Sequence, residues 1–355
     1  MSYLLLNGKI RALEPIHIGT GVSIGTFLET KDYITAKAIR GMLGNYLFNE
    51  NRELFERTRI SDDASPTMFF KPALPYGQRS IPNIVKWCKR CGSLILKGED
   101  GEEKTCANCG HEGKKRSGWF EIGPEHTLPK MVESKKVHKT ISTKCPINPI
   151  RHSSYLPTDD GYKSPYNVEA ILPGTQFDFR MVLQDDYVDD IKNALKEAGI
   201  FYGVGGLRSK GYGSIDIEFI EEKNAGDYIE SNANRDRSAI MVSNNELILR
   251  SEKGYLRYFD ENLIREYISK TLSHTNMQLP IEFSVKEQRS PTPSLARGWD
   301  MKAGYKLMNL RPAIGPGSSA RITANPELMA FIELFGLGED HHIFGDTYFI
   351  NEVVQ

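Results

Sequence analysis

The chain has 355 residues, 39% hydrophobic and 26% charged, a globular composition with room for two domains rather than a disordered one. No run of eighteen apolar residues occurs, so no membrane-spanning helix is expected, and the formal net charge of −1 argues on its face against nucleic acid. From Lys86 to Arg151, however, fourteen Lys and Arg stand against eight Asp and Glu, an excess of +6 that leaves −7 for the rest. Such a stretch is either a solvated loop or a face that grips phosphate.

In chain order, the N-terminus lacks a basic head, a long apolar stretch and a small-residue cleavage site, so it reads as a first strand and a cytoplasmic location is expected. Leu4 to Pro15 alternates as that strand, and His17-Ile-Gly-Thr-Gly turns after it, with His17 expected to bond locally. Asp32 to Thr35 gives a short strand edge with Thr35 as a candidate N-cap. Ile39, Met42, Leu43, Tyr46 and Leu47 then recur at helical spacing. Phe177 to Leu183 alternates as a strand, and Tyr187 to Gly199 has Val188, Ile191, Leu195 and Ala198 on one helical face. A glycine loop leads into a strand from Ile215 to Ile220.

Glu221 to Arg237 is polar and holds three asparagines, which suggests a linker. A second series follows, with strands at 239–242 and 246–249 and helices over 259–272 and 326–335. Further strands are expected at 320–323 and 347–350. Each half ends alike, in a helix, a glycine-containing turn and a closing strand.

Four of the five cysteines read Cys88-x-x-Cys91 and Cys106-x-x-Cys109, with Gly92 and Gly110 directly after the pairs. A two-residue gap lets one tight turn present two thiolates, and four thiolates satisfy a tetrahedral Zn²⁺. Two disulfides would need an oxidising compartment, and a redox pair would need only one motif. A closed four-thiolate site is structural, with Cys145 and His111 outside it. Ser93 to Leu96 and the polar tip Lys97 to Lys104 complete a small hairpin ribbon.

Gly203, Gly205, Gly206, Gly211 and Gly213 frame Leu207-Arg208-Ser209-Lys210. Glycines permit close backbone approach, and the two cations suit an RNA backbone, although the same loop could simply pack tightly. The order of residues excludes a P-loop, and a position after a helix excludes a dinucleotide fingerprint. These elements describe an α+β chain of two ferredoxin-like (RRM-like) domains, 1–223 and 238–355, joined by a linker at 224–237. The first carries a zinc-ribbon insertion at about 86–118 and a thumb-like segment at about 119–166.

The His17 turn, the segment Asp32 to Leu43, the basic stretch Lys135 to Arg151 with Val168 to Phe177, and the glycine loop together resemble the RAMP superfamily of CRISPR-associated proteins. Gly298-Trp-Asp and Pro312 to Ser319 are similar to the second domain of the large Cas-five-like subunit of type III-D effector complexes. The resemblance implies a subunit that caps a type III complex and binds the 5′ handle of the guide RNA (crRNA). Its implied neighbours are the large polymerase-like subunit and a backbone RAMP subunit, with target RNA nearby. The implied RNA contacts are Gly205, Gly206, Arg208, Ser209, Lys210 and Gly211, with Lys37 and Arg40 at the first helix and His138, Lys139 and Arg151 in the thumb. Target-cutting relatives carry an aspartate between the first turn and the helix. Here Gly19 to Thr30 has none, so a non-catalytic role is expected.

The alternative is a RAMP ribonuclease acting on guide precursor or target RNA. His138-Lys139, His152 and His341-His342 are its candidate residues, each with an ordinary structural role as the first expectation. A zinc-ribbon protein acting on RNA outside CRISPR would explain the cysteines but not the glycine loop. Tyr155, Tyr162 and Tyr166 could stack on bases or pack within loops.

Overall fold

A computed structural model describes residues 2–92, 94–95, 105–106, 108–115, 118–120, 136–157, 163–297, 299–300, 306–307 and 309–351. Tyr162, Gly298, the hairpin tip 97–104 and the thumb residues 121–135 lie outside the described residues.

The first half is built from β1 (Tyr3–Ala12), α1 (Ala36–Glu50), α2 (Arg52–Thr58), β2 (Met68–Phe70), β3 (Gln176–Gln184), α3 (Val188–Phe201) and β4 (Ile215–Asn224). Its antiparallel sheet runs β4-β1-β3-β2. Alternation along β3 explains the layering, because Phe177, Phe179, Met181 and Leu183 join the core that holds Ile39, Met42, Leu43 and Leu47 of α1 and Ile191 and Leu195 of α3. Thr35 sits at the N-cap of α1 without a side-chain capping bond. In place of the expected strand edge at Asp32–Thr35 there is only an isolated bridge from Ile34 to Ala73.

The stretch that reads as a linker contains α4 (Ala225–Ser231), capped by Asn224, whose Oδ1 accepts from Gly226 N at 2.8 Å. Of the asparagines that suggest flexibility in the sequence, Asn224 begins this helix and Asn232 closes it. The second half follows with β5 (Ser238–Ser243), α5 (Glu261–Thr275), β6 (Phe283–Gln288), β7 (Ser319–Ala324), α6 (Pro326–Phe335) and β8 (Thr347–Asn351). Its antiparallel sheet runs β8-β5-β7-β6. Counted along the chain, both sheets have the order fourth, first, third, second. The fold is therefore mixed α+β with antiparallel main sheets.

The halves share a core. Tyr3, Leu5, Phe69 and Val182 pack with the buried face of α6, and the Phe69 and Phe335 rings meet edge-on at 4.9 Å. The opposite face of the second sheet is covered from the first half. Ile81, Ile84, Val85, Trp87 and Phe120 cluster with Ile240 and Val242 of β5 and Tyr348 and Ile350 of β8. Polar contacts pin this cover: Ile84 N donates to Ser319 Oγ at 3.0 Å, Asn83 N donates to Gly317 O at 2.8 Å, and the Tyr348 hydroxyl donates to Ser80 O. A third sheet joins Lys139–Lys144, Tyr166–Ile171, Phe27–Thr30 and Gly19–Ile24 in that order.

Candidate nucleic-acid interface and metal centre

The glycine loop divides into a packed base and an exposed tip. At the base, Gly203, Gly205 and Gly213 have φ of 64°, 81° and 95°, a region closed to most side chains. A Cβ at Gly205 would overlap His17 O, and one at Gly213 would overlap Val204 O. The freed space lets Gly206 N donate to His17 O and Gly213 N to Pro15 O, both at 2.9 Å. The loop backbone thus lies against the first turn of the chain. Beyond it, Leu207 turns at φ 62°, a short 3₁₀ turn spans Arg208–Lys210, and Gly211 reverses the chain at φ 76°. Arg208, Ser209, Lys210 and Gly211 are exposed, whereas Gly205 and Gly206 belong to the base.

The third sheet flanks this tip. Lys210 Nζ donates to the Tyr166 hydroxyl at 2.7 Å, and the buried Tyr212 shares a 2.9 Å hydrogen bond with Ser142 Oγ. Lys144 Nζ lies 5.1 Å from the centre of the Tyr212 ring. Sequence reasoning does not single out Lys144 or Tyr212; strand pairing brings them to the loop, and only the general basicity of 135–151 hints at the former. Lys139 starts the same strand but faces protein, with Asp32 Oδ1 at 2.7 Å, Glu169 Oε2 at 3.2 Å and Thr30 O at 2.9 Å. Burial works against its charge, and the two carboxylates outweigh it to keep Lys139 protonated. His138 is exposed just before it. Arg151 is also exposed, in the hairpin Ile147–Asn148/Ser153–Ser154, where its Nη2 donates to Ser154 O at 3.2 Å.

Lys37 and Arg40 are not gathered to this tip. Lys37 donates to Arg297 O of the second half and lies 5.8 Å from the Phe344 ring centre. Burial brings its ammonium down to about 8 despite the pull of Glu246, with Lys31 and Arg311 adding to the effect. Arg40 donates to Ile60 O at 2.9 and 2.7 Å and meets Asp63 at 2.6 Å. Protein acceptors engage both cations.

The histidines are dispersed. His17 does not bond locally: its Nδ1 lies 2.8 Å from Glu169 O, 152 positions away. His341 and His342 are buried between the halves, with His342 Nε2 3.2 Å from Asp63. His152 is exposed at φ 52°. Neither main sheet offers the open aromatic platform on which single-stranded RNA is often stacked. Among the described residues, the first sheet's outer face carries Asn7, Lys9, Arg11, Asp178 and Arg180, of which Lys9 and Arg11 are exposed, and that face of β5 and β8 in the second sheet is covered.

The four cysteines form one group. Their sulfurs all lie within 4.8 Å of one another, with Cys88–Cys109 at 3.4 Å and Cys91–Cys106 at 3.3 Å. All five cysteines of the chain are free thiols. Thiolates about 2.3 Å from one ion lie about 3.8 Å apart, so the four sulfurs fit a tetrahedral metal after a small expansion. Cys88 Sγ accepts from Arg90 N at 3.3 Å and Cys91 N at 3.5 Å, and these amides favour its thiolate. Gly92 and Gly110 turn the chain at φ 71° and 67°. His111 bonds the Cys109 carbonyl at 2.7 Å and stands outside the group. The short strands Lys86–Cys88, Leu94–Ile95 and Gly113–Lys114 pair around it.

The sequence pattern of the RAMP superfamily matches residues 9–216. The chain belongs to the RAMP superfamily. No curated protein matches the sequence. One similar solved structure is described as a type III-B Cmr-beta complex bound to cognate target RNA, at 15% identity and a TM-score of 0.36. That match covers 63% of this chain and 61% of the other, so it spans about three fifths of that relative. A second, described as a RAMP protein binding different RNA substrates, shares 10% identity over 99% of this RAMP chain and 100% of its own, with a TM-score of 0.43. A third, from a Cas6-related gene of Pyrococcus furiosus, shares 10% identity over 99% and 100%, with a TM-score of 0.45. Among the described residues of this RAMP protein, no helix is long and apolar enough to cross a membrane.

Proposed function

We propose that this RAMP protein is a non-catalytic, guide-RNA-binding subunit of a type III CRISPR effector complex, with the RNA backbone passing over Arg208–Gly211. The observation that carries this reading is the exposed cationic tip standing on a rigid, hydrogen-bonded base, which holds two charges at a fixed place without burying them. Family membership supplies the CRISPR setting. In this reading the chain resembles the Cas-five-like subunit of type III-D complexes and works in the cytoplasm. It caps the complex at the 5′ handle, beside the large polymerase-like subunit and a backbone RAMP subunit.

The shared strand order of the two main sheets supports two ferredoxin-like domains, 1–223 and 238–355. The cysteine group supports a structural Zn²⁺ held by Cys88, Cys91, Cys106 and Cys109. Elemental analysis of purified protein is expected to give one zinc per chain, lost in Cys91→Ser; a metal-free native chain would remove the ion from this account.

Incubation with a CRISPR-repeat RNA tests the main reading. Retention of intact RNA is expected, and a single defined cut abolished by His138→Ala or His152→Ala would replace it with the ribonuclease.

A further inference from the structure

The glycine loop and the strand Lys139–Lys144 bring two lysines, Lys144 and Lys210, to their junction. Elsewhere around these elements, cations are matched: Lys139 by Asp32 and Glu169, Arg11 by Asp216, and Lys192 by Glu222. Lys144 and Lys210 meet no carboxylate among the described residues. Each meets a tyrosine instead: Lys144 lies over the Tyr212 ring at 5.1 Å, and Lys210 Nζ donates to the Tyr166 hydroxyl at 2.7 Å. A neutral ring or hydroxyl orients an ammonium without neutralising it, so its charge stays available to a ligand.

Both lysines act on one hydroxyl. Burial alone would raise Tyr212 above its ordinary value, yet Ser142, Lys144 and Lys210 together bring it below. Lys144 also stands across the strand pair from Tyr166, whose hydroxyl accepts from Lys210, and the Tyr212 ring under Lys144 carries the hydroxyl bonded to Ser142, so two ammoniums and these hydroxyls gather at the junction of loop tip and third sheet. Paired cations backed by hydroxyl donors, with no acid among them, suit the two unesterified oxygens of a phosphate.

We propose that Lys144, Lys210, Ser142 and Tyr212 form a subsite for one phosphodiester of bound RNA, which extends the contact from the loop onto the strand Lys139–Lys144. This rests on the RNA-binding reading above and adds a contact that the glycine loop alone does not supply.

The test is a fluorescence-anisotropy titration of a labelled single-stranded CRISPR-repeat RNA with the full chain at several KCl concentrations. Wild type is compared with Lys144→Ala, Lys144→Arg and the double variant Arg208→Ala/Lys210→Ala. Lys144→Ala is expected to bind several-fold more weakly at low salt and to lower the slope of log affinity against log salt by about 0.7, the share of one phosphate on a single strand. Lys144→Arg should keep both. Wild-type affinity and slope in Lys144→Ala, beside a double variant that has lost both, would overturn the subsite and leave the loop reading standing. Equal weakness of Lys144→Arg and Lys144→Ala would also overturn it, because shape rather than charge would then be at work. A wild-type chain that does not bind the RNA would bring down both readings.

Discussion

Two loops occupy equivalent places in the two halves, and they do opposite things. Residues 203–213 join α3 to β4, and residues 336–346 join α6 to β8, each leading into the same strand position of its sheet. Each is framed by glycines at positive φ, with Gly336, Gly338 and Gly345 in the second at 79°, 92° and 66°. The first lifts two cations into solvent. The second turns inward: Phe70 N donates to His342 O at 2.7 Å, Asp346 lies 3.5 Å from Lys71, and the rings of His341 and Phe69 lie 5.6 Å apart. A glycine frame thus permits a tight reversal, and the residues at its tip decide whether it faces solvent or the other half.

The largest effect expected from this comparison is common to both bases. Gly345→Ala places a Cβ over Leu337 O at φ 66°, and Gly205→Ala places one over His17 O at φ 81°. Each should cost about 3 kcal/mol in denaturant unfolding. A loss confined to one of them would break the equivalence of the two frames.

A smaller effect should single out the inward loop. Burial, with His342, Lys71, His274 and Lys270 nearby, holds His341 at about 3, below the 6.5 of an ordinary histidine. The unfolded chain therefore takes up this proton first. Stability from neutral His341 is complete above pH 6.5 and falls as pH drops toward 3, with a loss of about 2 kcal/mol by pH 5. Carboxylates titrate in the lower part of that window, so the quantity to measure is the difference between wild type and His341→Gln. Identical pH profiles would show that the imidazole is not buried as described.

The smallest effect on stability belongs to the outward tip. Arg208→Ala/Lys210→Ala should leave unfolding within about 0.5 kcal/mol of wild type while flattening the salt dependence of RNA binding. A marked loss of stability would mean that this tip, like the other, serves packing.

Much of the framework was legible because it rests on local pattern. α6 occupies the expected 326–335, with Asn325 accepting from Glu327 N at 2.9 Å and Pro326 in the first turn. The alternation of 177–183 and the thiol spacing likewise carry their own geometry. What the sequence does not reveal depends on distant partners. The bond from His17 to Glu169 O, the use of Lys37 and Arg40 by protein carbonyls, and the inward turn of His341-His342 each need the whole fold. The candidate site was half visible: Arg208 and Lys210 stand in an evident loop, whereas Lys144 and Tyr212 reach them only through strand pairing.

The cover that Trp87 and Phe120 place over the second sheet makes the C-terminal half a borrower. Cut from residues 81–120, a fragment starting at 238 would show Ile240, Val242, Tyr348 and Ile350 to water, an adhesive stripe on an otherwise complete sheet. Ribosomal synthesis offers a natural remedy, since the lid is made before the surface it closes and waits for it. Any splitting or circular rearrangement of the chain has to keep that order in mind.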